Sequence, residues 1–246
     1  MSTYFDSLER RARETGGGVD RGGSLTLREP VRLRDPVPRE AAPIPAGPYH
    51  ALRERVLARA NGRPIKKIVF AGCRGGEGCT RVAREFAETL ADSGLSVLLV
   101  DADVHTTGLT IASGAAGADL GQLLSGGATP APTPGRVTIV SSPGAGHTKE
   151  RVFRAPEFAA WLDAQAAAYD YVVLDAPPLL EFADGVLLGR LSDGVVIVVQ
   201  ADVTEKDALA HAREQLENAG ALVLGAVLNR THDTMPALLK PYLSSE

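Results

Sequence analysis

The stretch Gly72-Cys73-Arg74-Gly75-Gly76-Glu77-Gly78-Cys79-Thr80 follows an apolar run and precedes a helical pattern. Glycines at this spacing let successive backbone N–H groups converge on one anion, and a helix N-terminus behind them adds a favourable dipole. That arrangement suits the phosphates of ATP or ADP. Gly75, Gly76, Glu77, Gly78, Cys79 and Thr80 form the candidate cradle, with Thr80 where a phosphate loop places the hydroxyl that reaches Mg2+. The lysine of such a loop is missing, because Cys79 stands at its position. A lysine there meets the β- and γ-phosphates as a point charge, which a thiol does not supply. Arg74 lies in the same loop.

Two further segments supply carboxylates. Leu98-Leu99-Val100-Asp101-Ala102-Asp103 ends an apolar run with two aspartates two residues apart, hence on one face if the strand continues. Tyr171-Val172-Val173-Leu174-Asp175-Ala176-Pro177-Pro178 ends another apolar run with a third. Hard oxygen ligands at strand ends suit Mg2+ held partly through water, so Thr80, Asp101, Asp103 and Asp175 are the candidate metal partners. In a chain that performs phosphoryl transfer, Asp101 or Asp103 is the base candidate for a hydroxyl acceptor. The thiols Cys73 and Cys79 are six residues apart, but a small residue filling a vacated lysine position explains Cys79 without redox chemistry. His105, His147 and His211 have no metal-ligand spacing.

The elements that must position these residues alternate. Strand-like apolar runs fall at 68–71, 96–100, 137–140, 171–174, 194–199 and 222–228. Helical patterns fall at 51–57, 80–92, 156–168, 183–191 and 206–218, and Trp161 and Leu162 read as core anchors of one of them. Near-continuous Val/Ile/Leu runs suit parallel strands buried on both faces. The pattern predicts an α/β fold with a doubly wound, mostly parallel sheet and ligands at the carboxyl ends of its strands.

Composition narrows the class. The 246 residues include 26 Lys+Arg and 30 Asp+Glu, a net charge of −4, which argues against generic nucleic-acid binding. No apolar run approaches the roughly 18 residues that span a bilayer, and the N-terminus lacks an apolar signal region. Two cysteines are too few for a disulfide framework, so a cytoplasmic location is expected. Residues 1–47 hold Gly16-Gly17-Gly18, Gly22-Gly23 and five prolines from Pro30 to Pro45, and read as a flexible, disordered extension before a domain at 48–246. Tyr4, Phe5, Leu8 and Ala12 recur at helical spacing there, which fits either a docking segment or a fraying terminus.

With these motifs in order, the chain from about residue 49 to 242 resembles the bacterial tyrosine kinase family, one of the deviant-P-loop ATPases of the MinD/ParA type. The resemblance rests on residues 75–80, on Leu98 to Asp103, on Val172 to Pro178, and on 183–200 and 220–230. It implies ATP or ADP with Mg2+, an adenine contact at Asn229, possible homo-oligomers in the form of rings, and action with a membrane-embedded polysaccharide co-polymerase in capsule or exopolysaccharide synthesis or export. It also marks departures. Cys79 replaces the lysine, and His105 stands where a basic residue commonly follows the aspartates. A ring-assembly pattern reads Gly47, His50 and Arg53, and the C-terminal tyrosine cluster is absent. Three readings follow: a regulatory pseudo-kinase, an active ATPase or tyrosine kinase using Arg74, or a positioning ATPase of the ParA/MinD type. For the last, no cluster of Lys and Arg suggests DNA and no basic amphipathic helix suggests a membrane anchor.

Overall fold

Residues 67–72 read Lys-Ile-Val-Phe-Ala-Gly, and the four in the middle are fully buried. Ile68 and Phe70 face one side of the sheet and Val69 and Ala71 the other, as strand alternation requires. The same holds for Val97 and Leu99 against Leu98 and Val100 in the next strand. Such strands need a helical layer on each face, and both layers are present. The structure, a computed structural model, describes residues 46–59, 63–114, 118–143 and 149–231. The expectations for residues 1–45 and for His147 lie outside the described residues.

The chain runs α1 (Ala46–Arg59), β1 (Lys67–Gly72), α2 (Cys79–Asp92), β2 (Ser96–Asp101), α3 (Gly108–Ala112), β3 (Ala118–Asp119), α4 (Leu120–Leu124) and β4 (Arg136–Ser141). After a 3-10 turn at Lys149–Arg154 follow α5 (Pro156–Ala168), β5 (Tyr171–Ala176), α6 (Ala183–Leu191), β6 (Gly194–Gln200), α7 (Lys206–Asn218) and β7 (Val223–Asn229). The seven strands form one parallel sheet in the order β3-β4-β2-β5-β1-β6-β7. On one face, Val56 of α1 and Val82, Phe86 and Leu90 of α2 pack on Ile68, Phe70, Leu99 and Val173. On the other, Phe158, Trp161 and Leu162 of α5, Leu188 of α6 and Leu216 of α7 pack on Val69, Leu98, Val172 and Ile197. Trp161 and Leu162 are thus the core anchors expected, and the Trp161 indole N–H donates to Thr129 Oγ1 at 3.0 Å.

The amino edge of the sheet is closed by carboxylates on backbone amides. Asp193 Oδ2 accepts from the N–H groups of Lys66 (2.8 Å) and Lys67 (2.7 Å), and Asp170 Oδ2 from Ser96 N–H (2.8 Å). At the carboxyl edge the loops after β1 and β2 come together, and β5 lies between those two strands in the sheet. Strand order reverses about β1, the position at which doubly wound sheets leave a crevice between neighbouring loops. The six expected strands and five expected helices are all present. The elements not foreseen are short: α3 and α4 have five residues each and β3 has two, below the length at which a period can be read.

Candidate functional site

The loop between β1 and α2 takes its shape from glycine. Gly76 (φ 87°) and Gly78 (φ 86°) lie in the left-handed region, which side chains with a Cβ rarely adopt. A Cβ on Gly78 would also stand 2.3 Å from Asn229 Nδ2. Gly78 is the N-cap of α2 and offers no side-chain acceptor, so the first N–H groups of this helix face the loop without a protein cap.

Glu77 ties the loop from inside. Its buried carboxylate accepts from Arg74 N–H (3.0 Å) through Oε2 and from the Thr204 hydroxyl (2.5 Å) through Oε1. Thr204 Oγ1 in turn accepts from Gln200 N–H at 2.9 Å. The Glu77 carbonyl accepts from Asn229 Nδ2, also at 2.9 Å. Loop 72–80 is therefore held to the ends of β6 and β7. From the loop after β5, Glu181 Oε1 accepts from Gly75 N–H at 2.9 Å.

The three aspartates differ in what already occupies them. Asp101 and Asp175 are directly opposite in the β2–β5 register, and both are buried. Asp101 accepts from Thr110 N–H (2.8 Å), the Thr110 hydroxyl (2.5 Å) and Asp103 N–H (3.2 Å). Asp103 accepts from the N–H groups of His105 (3.0 Å) and Thr106 (3.2 Å) and from the Thr106 hydroxyl. Asp175 Oδ2 is buried with no hydrogen-bond partner.

Burial pushes Asp175 up to about 7; the Thr80 hydroxyl and Cys79 thiol oppose that rise, while Asp101 and Asp103 add to it. Burial also raises Asp101, against the hydrogen bonds from Thr110. The Cys79 thiol is driven well above its ordinary value by burial and by Asp175, and burial takes Cys73 to about 12. Both are neutral thiols near pH 7, so neither is poised as a nucleophile.

These groups frame a cavity of about 190 Å3. It brings together Arg74, Gly75, Gly76, Glu77, Gly78, Cys79, Thr80, Asp103 and Asp175. Asp101 lies outside its lining, pinned by Thr110, and Asn229 supports the loop at the Glu77 carbonyl. Among the described residues, no three His, Cys, Asp or Glu side chains converge as a ready metal cage. The orphaned oxygen of Asp175, beside the Thr80 hydroxyl, nevertheless fits a hard cation that takes its remaining ligands from phosphate and water. Residue typing overlooked Glu181, Thr204 and Thr106, and treated Arg230, a lining residue, only as the neighbour of Asn229. His105 stacks on Phe182 with ring centroids 3.7 Å apart, and its Nε2 lies 3.4 Å from Asp184 Oδ2.

A parallel sheet with helices on both faces, a glycine loop after β1 and aspartates ending β2 and β5 define a P-loop NTPase fold of the MinD/ParA type. The kinase domain of Escherichia coli tyrosine kinase ETK superposes with a TM-score of 0.67 at 20% identity, covering 78% of this chain and 79% of that one. MinD of Pyrococcus horikoshii, solved with Mg-ADP, gives 0.55 at 20% identity, covering 70% and 74%. Tyrosine-protein kinase YwqD of Bacillus subtilis is 30% identical over 203 residues, 74% of this chain and 79% of that protein. Tyrosine-protein kinase CpsD of Streptococcus agalactiae is 25% identical over 199 residues, 76% and 84%. The succinoglycan biosynthesis transport protein ExoP of Rhizobium meliloti is 30% identical over 194 residues, which cover 69% of this chain and 23% of ExoP. The chain matches no family model. It belongs to the bacterial tyrosine kinase family.

Proposed function

We propose that the chain is a regulator of cell-surface polysaccharide synthesis or export that binds ATP or ADP with Mg2+ and turns it over weakly or not at all. The observation that carries this reading is a formed phosphate loop whose lysine position holds a neutral, half-buried thiol, Cys79. Backbone N–H groups of residues 75–80 bind phosphate, and the Thr80 hydroxyl and Asp175 hold Mg2+, which neutralises charge on the phosphates. Without the lysine, charge that develops on the transferring phosphoryl group loses a fixed partner, and such losses slow chemistry by about 100- to 1000-fold. Binding survives better than catalysis because amide donors contact ground state and transition state alike.

The regulatory role draws on the relatives, among them kinases and a polysaccharide biosynthesis transport protein. The partner proposed is a membrane-embedded polysaccharide co-polymerase, reached from the cytoplasmic face. Among the described residues no helix is long and apolar enough to cross a membrane. Copurification with a co-expressed co-polymerase tests that partner, and absence of the pair overturns it.

Titration calorimetry with Mg2+–ATP and Mg2+–ADP tests the site. The native protein is expected to bind both weakly, Asp175→Ala to lose Mg2+-dependent binding, and Cys79→Lys to tighten binding about tenfold or more. Steady ATP hydrolysis by the native protein, abolished by Arg74→Gln, favours instead an active enzyme; Arg74 lines the same cavity.

A further inference from the structure

The cavity at residues 72–80 presents Asp103 and Asp175 to any ligand, so a polyphosphate there needs more than backbone amides. Two arginines line it. Arg74 is an exposed residue of the glycine loop itself. Arg230 enters from a different element, immediately after β7.

Arg230 is held by its surroundings. Its backbone takes a left-handed conformation (φ 55°), costly for a residue with a side chain, and its N–H donates to Asn229 Oδ1 at 2.9 Å. The same Asn229 donates to the Glu77 carbonyl, which ties this corner to the loop. The guanidinium donates from one Nη to Gln200 Oε1 at 2.8 Å. Gln200 is neutral, and among the described residues Arg230 makes no ion pair, so no carboxylate offsets its charge while one hydrogen bond orients the exposed side chain. Its Nε lies 3.9 Å from where a Cβ on Gly78 would stand, beside the residue that precedes Cys79.

We propose that Arg230 supplies, from the end of β7, the phosphate-binding cation that position 79 lacks. The inference deepens the nucleotide reading given above and rests on it. A guanidinium offers five N–H donors, and with one engaged by Gln200 the others remain for phosphate oxygens. Gln200 acts here as a positioning residue.

The test is titration calorimetry of the full chain with Mg2+–pyrophosphate, Mg2+–ADP and adenosine, at two salt concentrations. Arg230→Gln is expected to weaken pyrophosphate and ADP by about tenfold or more, to flatten their salt dependence and to leave adenosine unchanged. Arg230→Lys restores part of the loss. Arg74→Gln weakens both phosphates less than Arg230→Gln does. Gln200→Ala, which leaves the Arg230 backbone intact, weakens pyrophosphate in the same direction, and melting curves show that each variant is folded. Pyrophosphate binding unchanged in folded Arg230→Gln overturns the inference. Loss of adenosine with pyrophosphate retained also overturns it, and assigns the guanidinium to the base; Arg230 also borders the larger hollow between α1 and β7. If the native chain binds neither pyrophosphate nor ADP, the nucleotide reading itself fails, and the inference with it.

Discussion

Asp175 is a carboxyl group whose surroundings favour its proton. With a folded value near 7 against 3.8 unfolded, the folded state binds more protons between those limits. Stability of the ligand-free protein therefore falls as pH rises from about 4 to about 7. At about 1.4 kcal/mol per unit the effect is at most about 4 kcal/mol. Asp175→Asn is expected to flatten that part of a melting-temperature profile; a profile as steep as that of the native protein would show that another group is responsible. At this scale the sequence was informative about residue types: Asp175, Thr80 and the missing lysine were legible because each sits at a fixed offset within a local motif. Glu77 was legible as a loop residue only. Its partner Thr204 is 127 positions away, and no local pattern announces such a bond. Asp101 and Asp103 were legible as acids, but their engagement by Thr110 and Thr106 depends on how the following loop folds back.

Elements were legible in proportion to length. Six strands and five helices carry apolar runs or helical periods long enough to read. The segment from α3 to α4 does not: its elements are stabilised by what they touch, as when Thr110 bonds Asp101 and Leu109 enters the core. The connection between loop 72–80 and the β6–α7 turn likewise belongs to this scale. Glu77, itself buried, and Thr204 join two elements through one part-buried bond, so Glu77→Gln and Thr204→Val are expected to be non-additive, with a coupling of about 1 kcal/mol in denaturant melts. Additive effects would mean that the two loops fold independently. The sign is set by burial, since a carboxylate left without its donor in a low-dielectric site is more costly than the bond is favourable.

For the whole molecule, the two edges of the sheet have opposite roles. The amino edge is fastened by Asp170 and Asp193, and the carboxyl edge gathers the loops after β1, β2, β5 and β7 around one cavity, with Thr204 after β6 bonded to Glu77 behind it. A doubly wound sheet was legible from the alternation of strand and helix, but the order that sets β5 between β1 and β2 was not, because pairing partners are distant in the chain. That order brings Glu181, from the loop after β5, onto Gly75 N–H. The phosphate loop thus carries an anionic side chain on one of its own donors, a resident competitor for any incoming anion. Apparent affinity equals intrinsic affinity multiplied by the fraction of molecules in which that donor is free. Net hydrogen-bond energies of about 0.5–1.5 kcal/mol convert to roughly 2- to 10-fold. Glu181→Ala should tighten pyrophosphate binding by that factor in the same calorimeter. An unchanged affinity would mean that the donor is already free in solution. Occupancy in this chain then keeps its ordinary saturation curve but is displaced to higher nucleotide concentration, by a factor written into the protein as one glutamate that the ligand must push aside.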